Sequence, residues 1–107
     1  MINFAALCPH PPLIIPNVGK DRIQRVSDTI ESMQALADSF EQKDPQTTVV
    51  ISPHAPLKSN EFLINDAKAL QGNFRQFGDL STELAFRNDL QLVEDIIQQF
   101  EQDEIPY

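Results

Sequence analysis

The chain has 107 residues, 41% of them hydrophobic, with 16 acidic against 8 basic side chains and a formal charge of −8. That length admits one small domain with a modest core, and the apolar content argues against disorder. No Lys/Arg cluster exists to track phosphates, which excludes nucleic acid as a partner, and no apolar run approaches the roughly 20 residues of a membrane span.

The single cysteine, Cys8, allows no internal disulfide. The N terminus lacks the basic and long apolar regions of a secretory signal. A cytoplasmic protein in a reducing compartment is therefore expected.

Ile2 to Leu7 is apolar except for Asn3, the pattern of a strand buried on both faces in a parallel sheet. Cys8-Pro9-His10-Pro11-Pro12 comes next, and its prolines stop strand pairing and helix alike. Leu13-Ile14-Ile15-Pro16 reads as an extended loop packed on the body, and Asn17-Val18-Gly19 as a turn. From about 21 to 43 the apolar period becomes helical: Ile23, Val26, Ile30, Met33, Ala37 and Phe40 make one stripe. Asp21 with Gln24 resembles a capping box, and Asp44-Pro45 ends the helix.

Thr47 to Ser52 is β-branched and apolar, a second strand. Strand, helix, strand predicts a parallel βαβ unit with strands at about 2–7 and 47–52. Further short strands are expected at about 62–65 and 70–77, the latter around a Gly72-Asn73 turn signal. Residues 79–86 read as a connector. A C-terminal helix is expected over about 88–102, opened by an Asn88/Gln91 capping box and buried along Leu90, Val93, Ile97 and Phe100. The fold class is α/β, with no internal domain boundary.

The chain has two histidines, and each sits in a small-Pro-His-x-Pro pentapeptide directly after a predicted strand. The second is Ser52-Pro53-His54-Ala55-Pro56. In open α/β sheets ligands bind beyond the carboxyl ends of the strands. Flanking prolines restrict the backbone around each imidazole, and neutral imidazole is a common ligand for iron, zinc and copper. His10 and His54 are thus the candidate metal ligands. A site needs a third, for which Glu61, Asp66 and Asp79 are the nearest downstream carboxylates. The bland alternative is two hydrogen-bonding loop histidines and solvated surface acids. Cys8 is expected as a small buried residue rather than a nucleophile paired with His10. Gly19-Lys20 lacks the upstream glycine of a phosphate loop. The helix at 21–43 is core in the first instance, with a short coiled-coil dimer as the lesser reading.

The run Phe4-Ala5-Ala6-Leu7-Cys8-Pro9-His10-Pro11-Pro12-Leu13-Ile14-Ile15-Pro16-Asn17-Val18-Gly19 resembles the start of LigB-like class III extradiol ring-cleavage dioxygenase domains. It is especially similar to the branch related to Memo and the AmmeMemoRadiSam proteins. Val49-Val50-Ile51-Ser52-Pro53-His54-Ala55-Pro56, the stretch Gly72 to Gly78 and the Asn88-Asp89 helix start are similar to the same family. The resemblance implies that residues 1–107 are the N-terminal part of one such domain. It implies Fe(II), with zinc or another divalent metal as the alternative, held by His10, His54 and a glutamate. It also implies a small aromatic diol and O2 as substrates. A further family histidine acts as acid/base; with only two histidines, no catalytic residue is identified in this stretch and it is expected to be inactive alone. A partial sheet would leave apolar surface, so pairing with a missing C-terminal half or self-association is expected. The alternatives are a non-catalytic Memo-like metal-binding or interaction module and another metalloenzyme such as a zinc hydrolase.

Overall fold

The computed structural model describes residues 1–56 and 58–107. In chain order it has a 3₁₀ turn at Pro12–Ile14, the one-turn helix α1 (Pro16–Gly19), a 3₁₀ segment at Lys20–Val26 and the helix α2 (Ser27–Glu41). Then come strand β1 (Ala69–Asn73), a 3₁₀ turn at Arg75–Phe77, strand β2 (Glu83–Arg87) and helix α3 (Leu90–Gln102). The α/β class stands: the chain has a two-stranded antiparallel sheet and helices.

The chain forms two compact units. One comprises Met1–Thr48 and Gly72–Leu84, the other Val49–Gln71 and Ala85–Tyr107. The loop end of the β1–β2 hairpin belongs to the first and its open end to the second.

In the first unit, α2 carries the predicted stripe. Ile30, Met33 and Phe40 are half-buried together with Leu36, whereas Ala37 is exposed. The helix starts later than the capping signal implied. Residues 20–26 are wound as 3₁₀, and α2 begins after Val26 with no side-chain cap. The first apolar run is not a strand. Phe4 packs edge-to-face on Phe40, with ring centroids 5.6 Å apart, and the Asn3 amide donates to the Lys43 carbonyl at 3.2 Å. These contacts hold Asn3 and Phe4 against the C-terminal end of α2 and the residues just after it, while Ile2 and Leu7 stay 87% and 99% exposed, so the run gains no ladder partner and little burial.

In the second unit, α3 is the organising element. Leu90, Val93, Ile97 and Phe100 are half-buried, as their spacing predicts. The Phe100 ring lies 5.5 Å from that of Phe62 and 6.2 Å from that of Tyr107. Asp89, not Asn88, is the N-cap: its carboxylate accepts the Leu92 N–H at 3.1 Å. Asn88 points back instead and donates to the carbonyls of Asn65 (2.7 Å) and Ala67 (3.0 Å).

Three predicted strands are therefore corrected. The runs at 2–7, 47–52 and 62–65 join no sheet among the described residues. A strand exists only where a neighbour accepts its N–H groups and donates to its carbonyls. For Phe62 that role falls to the C-terminal tail, since its N–H donates to Pro106 O at 2.9 Å. Val50 and Ile51 stay 80% and 92% exposed, so the strand propensity of 47–52 is not realised as burial. The expected strand at 70–77 stops at Asn73 and gives way to a 3₁₀ turn. Part of the expected connector is strand β2.

Candidate metal-binding loops

The first pentapeptide leads into a chain of hydrogen-bonded turns. Proline fixes the backbone on both sides of His10, and Pro11 sits at φ −68°, ψ 134°. The Ile14 N–H donates to Pro11 O and the Ile15 N–H to Pro12 O, each at 3.1 Å. The N–H groups of Val18 and Gly19 both donate to Ile15 O, at 3.0 and 2.7 Å. Val18 and Gly19 are buried at the end of this block. A Cβ on Gly19 would collide with the Leu13 carbonyl oxygen and lie 3.2 Å from Ile23 Cβ. Glycine is thus required here by close backbone approach. An open groove of about 420 Å³ lies beside the pentapeptide, with Leu7 and Pro9 on one side and Asp28, Ser32, Met33 and Leu36 of α2 on the other.

The turn block is tied to the loop between β1 and β2. Asp79 is buried, and its Oδ1 accepts the Ser81 N–H (2.9 Å), the Ser81 hydroxyl (2.8 Å) and the Thr82 N–H (3.2 Å). Asn17 of α1 donates from Nδ2 to Ser81 Oγ at 2.9 Å, to Thr82 Oγ1 at 3.4 Å and to Asp79 Oδ1 at 3.5 Å. The Thr82 hydroxyl, then the Ser81 N–H, hold the Asp79 carboxyl far below the usual carboxylate range, overcoming the opposing effect of burial. Asp79 Oδ2 is buried with no hydrogen-bond partner among the described residues.

The second pentapeptide is shaped more locally. The His54 N–H donates to the Ser52 hydroxyl at 3.3 Å, a serine-headed turn, and residues 52–56 are exposed. Downstream, Lys58 and Glu61 pair at 3.1 Å on the surface.

His10 belongs to the first unit and His54 to the second. Among the described residues no group of three His, Cys, Asp or Glu side chains is arranged to hold a metal ion. The two imidazoles suit Fe(II) or Zn(II) in donor chemistry. Of the carboxylates weighed as third ligands, Glu61 pairs with Lys58, Asp66 is exposed, and Asp79 Oδ1 is engaged by its own loop. Cys8, expected to be buried, is exposed, because the run before it never enters a sheet. The sequence reading missed the partnership of Asn17 with Asp79. Its signal was the series Asp79-x-Ser81-Thr82, in which a carboxylate can accept the N–H groups two and three residues on.

Residues 4–107 match the family model described as the catalytic LigB subunit of aromatic ring-opening dioxygenase. Among curated proteins the chain is similar to Protein CA_C1420 of Clostridium acetobutylicum, with 28% identity over 91 residues. That alignment covers 83% of this chain and 19% of the relative, so the chain spans about a fifth of the curated protein it matches. No solved structure matches it. Among the described residues no helix is long and apolar enough to cross a membrane.

Proposed function

Since the chain belongs to the family of catalytic LigB subunits of aromatic ring-opening dioxygenases, we propose that it is the N-terminal part of one non-haem, Fe(II)-dependent extradiol dioxygenase domain, with His10 and His54 as metal ligands. The observation that carries this reading is the doubled small-Pro-His-x-Pro pentapeptide, both copies of which lie within the matched residues. A bound ferrous ion supplies Lewis acidity and redox capacity towards a catechol-type diol and O2. The contribution of this chain is to present two imidazoles from proline-restricted loops, so little backbone entropy is lost when they are held in place. In the family the acid/base group is a further histidine, which is not among the two of this chain, so ring opening is not proposed as an activity of these 107 residues alone. The second reading is a Memo-like module that binds metal or a partner without catalysis.

The exposed apolar side chains fit a part that is completed by something else. Ile2, Leu7, Val50, Ile51, Leu80 and Phe86 are all largely exposed, and such surface is ordinarily covered by the rest of a domain or by a second copy.

The test is calorimetric titration with Fe(II), under anaerobic conditions, and with Zn(II). His10→Ala and His54→Ala should each weaken binding by about tenfold or more, a 1.4 kcal/mol change. If both variants bind like the parent chain, the two-ligand reading is wrong. Oxygen uptake with simple catechols by the iron-loaded longer protein then separates the dioxygenase from the non-catalytic module.

A further inference from the structure

We propose that Asp79 is a positioning residue for the first histidine loop: through Asn17, it locks the turn block that begins immediately after His10. The link can be followed bond by bond within the first unit. Gly78, at φ 85°, closes the 3₁₀ turn after β1, and the Asp79 N–H donates back to Phe74 O at 3.3 Å. The exposed Arg75 guanidinium also bonds the Glu83 carboxylate across the loop ends. Asp79 Oδ1 then gathers Ser81 and Thr82, and these two hydroxyls receive the Asn17 amide. Asn17 lies within α1, whose N–H groups are bonded to Ile15, and the preceding turn is bonded to Pro12 and Pro11. Pro11 is covalently attached to His10, and Pro9 precedes it. The path from the hairpin loop to the first pentapeptide therefore runs through hydrogen bonds, bonded turns and prolines.

The chemistry of the carboxylate supports a locking role. Asp79 is 3% exposed, and one oxygen accepts several donors while the other, among the described residues, accepts none. A buried carboxylate oxygen without a donor is costly. The geometry is therefore set by Oδ1, and an amide oxygen can replace it. The inference rests on the proposed reading of His10 as a ligand only for its effect on metal; the mechanical link stands on the hydrogen bonds.

Two measurements on the 107-residue chain test it. The first is amide hydrogen exchange, followed by NMR at Ile14, Ile15, Val18 and Gly19. Asn17→Ala and Asp79→Ala should each speed exchange there by about tenfold, while Asp79→Asn, which keeps an acceptor oxygen, should stay within about threefold. Amides of α3 should not change. If Asp79→Ala accelerates exchange only within residues 74–82, or accelerates α3 equally, the proposal is overturned. The second is calorimetric Zn(II) titration, in which Asn17→Ala should weaken binding by about threefold without abolishing it. Faster exchange at residues 14–19 with unchanged Zn(II) affinity would also overturn the positioning role. Unchanged Zn(II) binding by His10→Ala would instead overturn the ligand reading and leave the exchange result to decide the mechanical link.

Discussion

The two histidine loops start from nearly the same five residues and end in different structures. After Cys8–Pro12 the chain winds into bonded turns, buries Val18 and Gly19, and is fastened at Asn17 by a loop far along the sequence. Ser52–Pro56 is exposed, and its turn is set by the neighbouring Ser52 hydroxyl. The pentapeptide fixes φ at its prolines in both places. The residues downstream of it decide the rest. Leu13-Ile14-Ile15 and Gly19 give the first loop apolar weight and a place for close backbone approach, whereas Lys58-Ser59-Asn60-Glu61 gives the second a polar, solvated continuation. A ligand motif thus specifies local backbone shape, and its order depends on residues outside it.

The largest test of that contrast is Gly19→Ala. The new Cβ has no room against the Leu13 carbonyl and Ile23, so the variant should lose about 1–3 kcal/mol, as overpacked sites do. Denaturant unfolding measures the loss. NMR shifts should change around residues 11–23 and remain unchanged at 52–56; equal changes in both loops would mean that they are not separately built.

Acid separates the loops next. The Asp79 carboxyl is held below its ordinary value, chiefly by the Thr82 hydroxyl and the Ser81 N–H. In acid the unfolded chain therefore takes up this proton before the folded one does. The stabilisation is complete above the unfolded value of about 3.9 and is lost as pH falls below it towards the folded pKa. Amide protection at residues 14–19 should thus fade on acidification below about pH 4. Asp79→Ala should remove that pH dependence. A parent chain whose first loop keeps full protection throughout this acid range, down to its global unfolding, would contradict the assignment.

A smaller effect is expected where the second loop is finally fastened. Asn88 bonds the carbonyls of Asn65 and Ala67, downstream of His54. Asn88→Ala should cost about 1 kcal/mol, since exposed hydrogen bonds contribute modestly. Thermal unfolding would show it, with faster amide exchange at residues 66–68 and none at 14–19.

The helices were legible because their information is local. The stripes through Ile30, Met33 and Phe40 and through Leu90, Val93, Ile97 and Phe100 lie on half-buried faces of α2 and α3. Their starts were misplaced for different reasons: α2 begins only after the 3₁₀ segment Lys20–Val26 and carries no side-chain cap, whereas at α3 Asp89 takes the cap and leaves Asn88 to reach back. The strands were not legible, because β propensity states a willingness to pair and names no partner. The apolar runs at 2–7 and 47–52 carry that willingness and no ladder, while Glu83-Leu84-Ala85-Phe86-Arg87, less apolar, pairs with β1 across the Asp79 loop. The histidine pentapeptides stand out as a repeated pattern. The contact of Asn17 with Asp79 spans 62 residues; the Asp79-x-Ser81-Thr82 series marks the turn at one end, and nothing local names Asn17 as its partner.

The smallest effect concerns backbone conformation at the exit of each loop. Lys20 leaves the first turn block at φ 48°, ψ −126°, a region costly for any residue with a Cβ. Asn60, beyond the second pentapeptide, has φ 66°, where asparagine is tolerated. Glycine relieves the strain at Lys20 but loses more entropy on folding, roughly 0.5–1 kcal/mol. Lys20→Gly should therefore stabilise the chain by no more than about 1 kcal/mol, and Asn60→Gly should be close to neutral. Paired thermal melts would read the difference. If Lys20→Gly proves destabilising, the lysine side chain itself holds the exit of the first loop, and the contrast between the loops would rest on Lys20 as well as on Gly19.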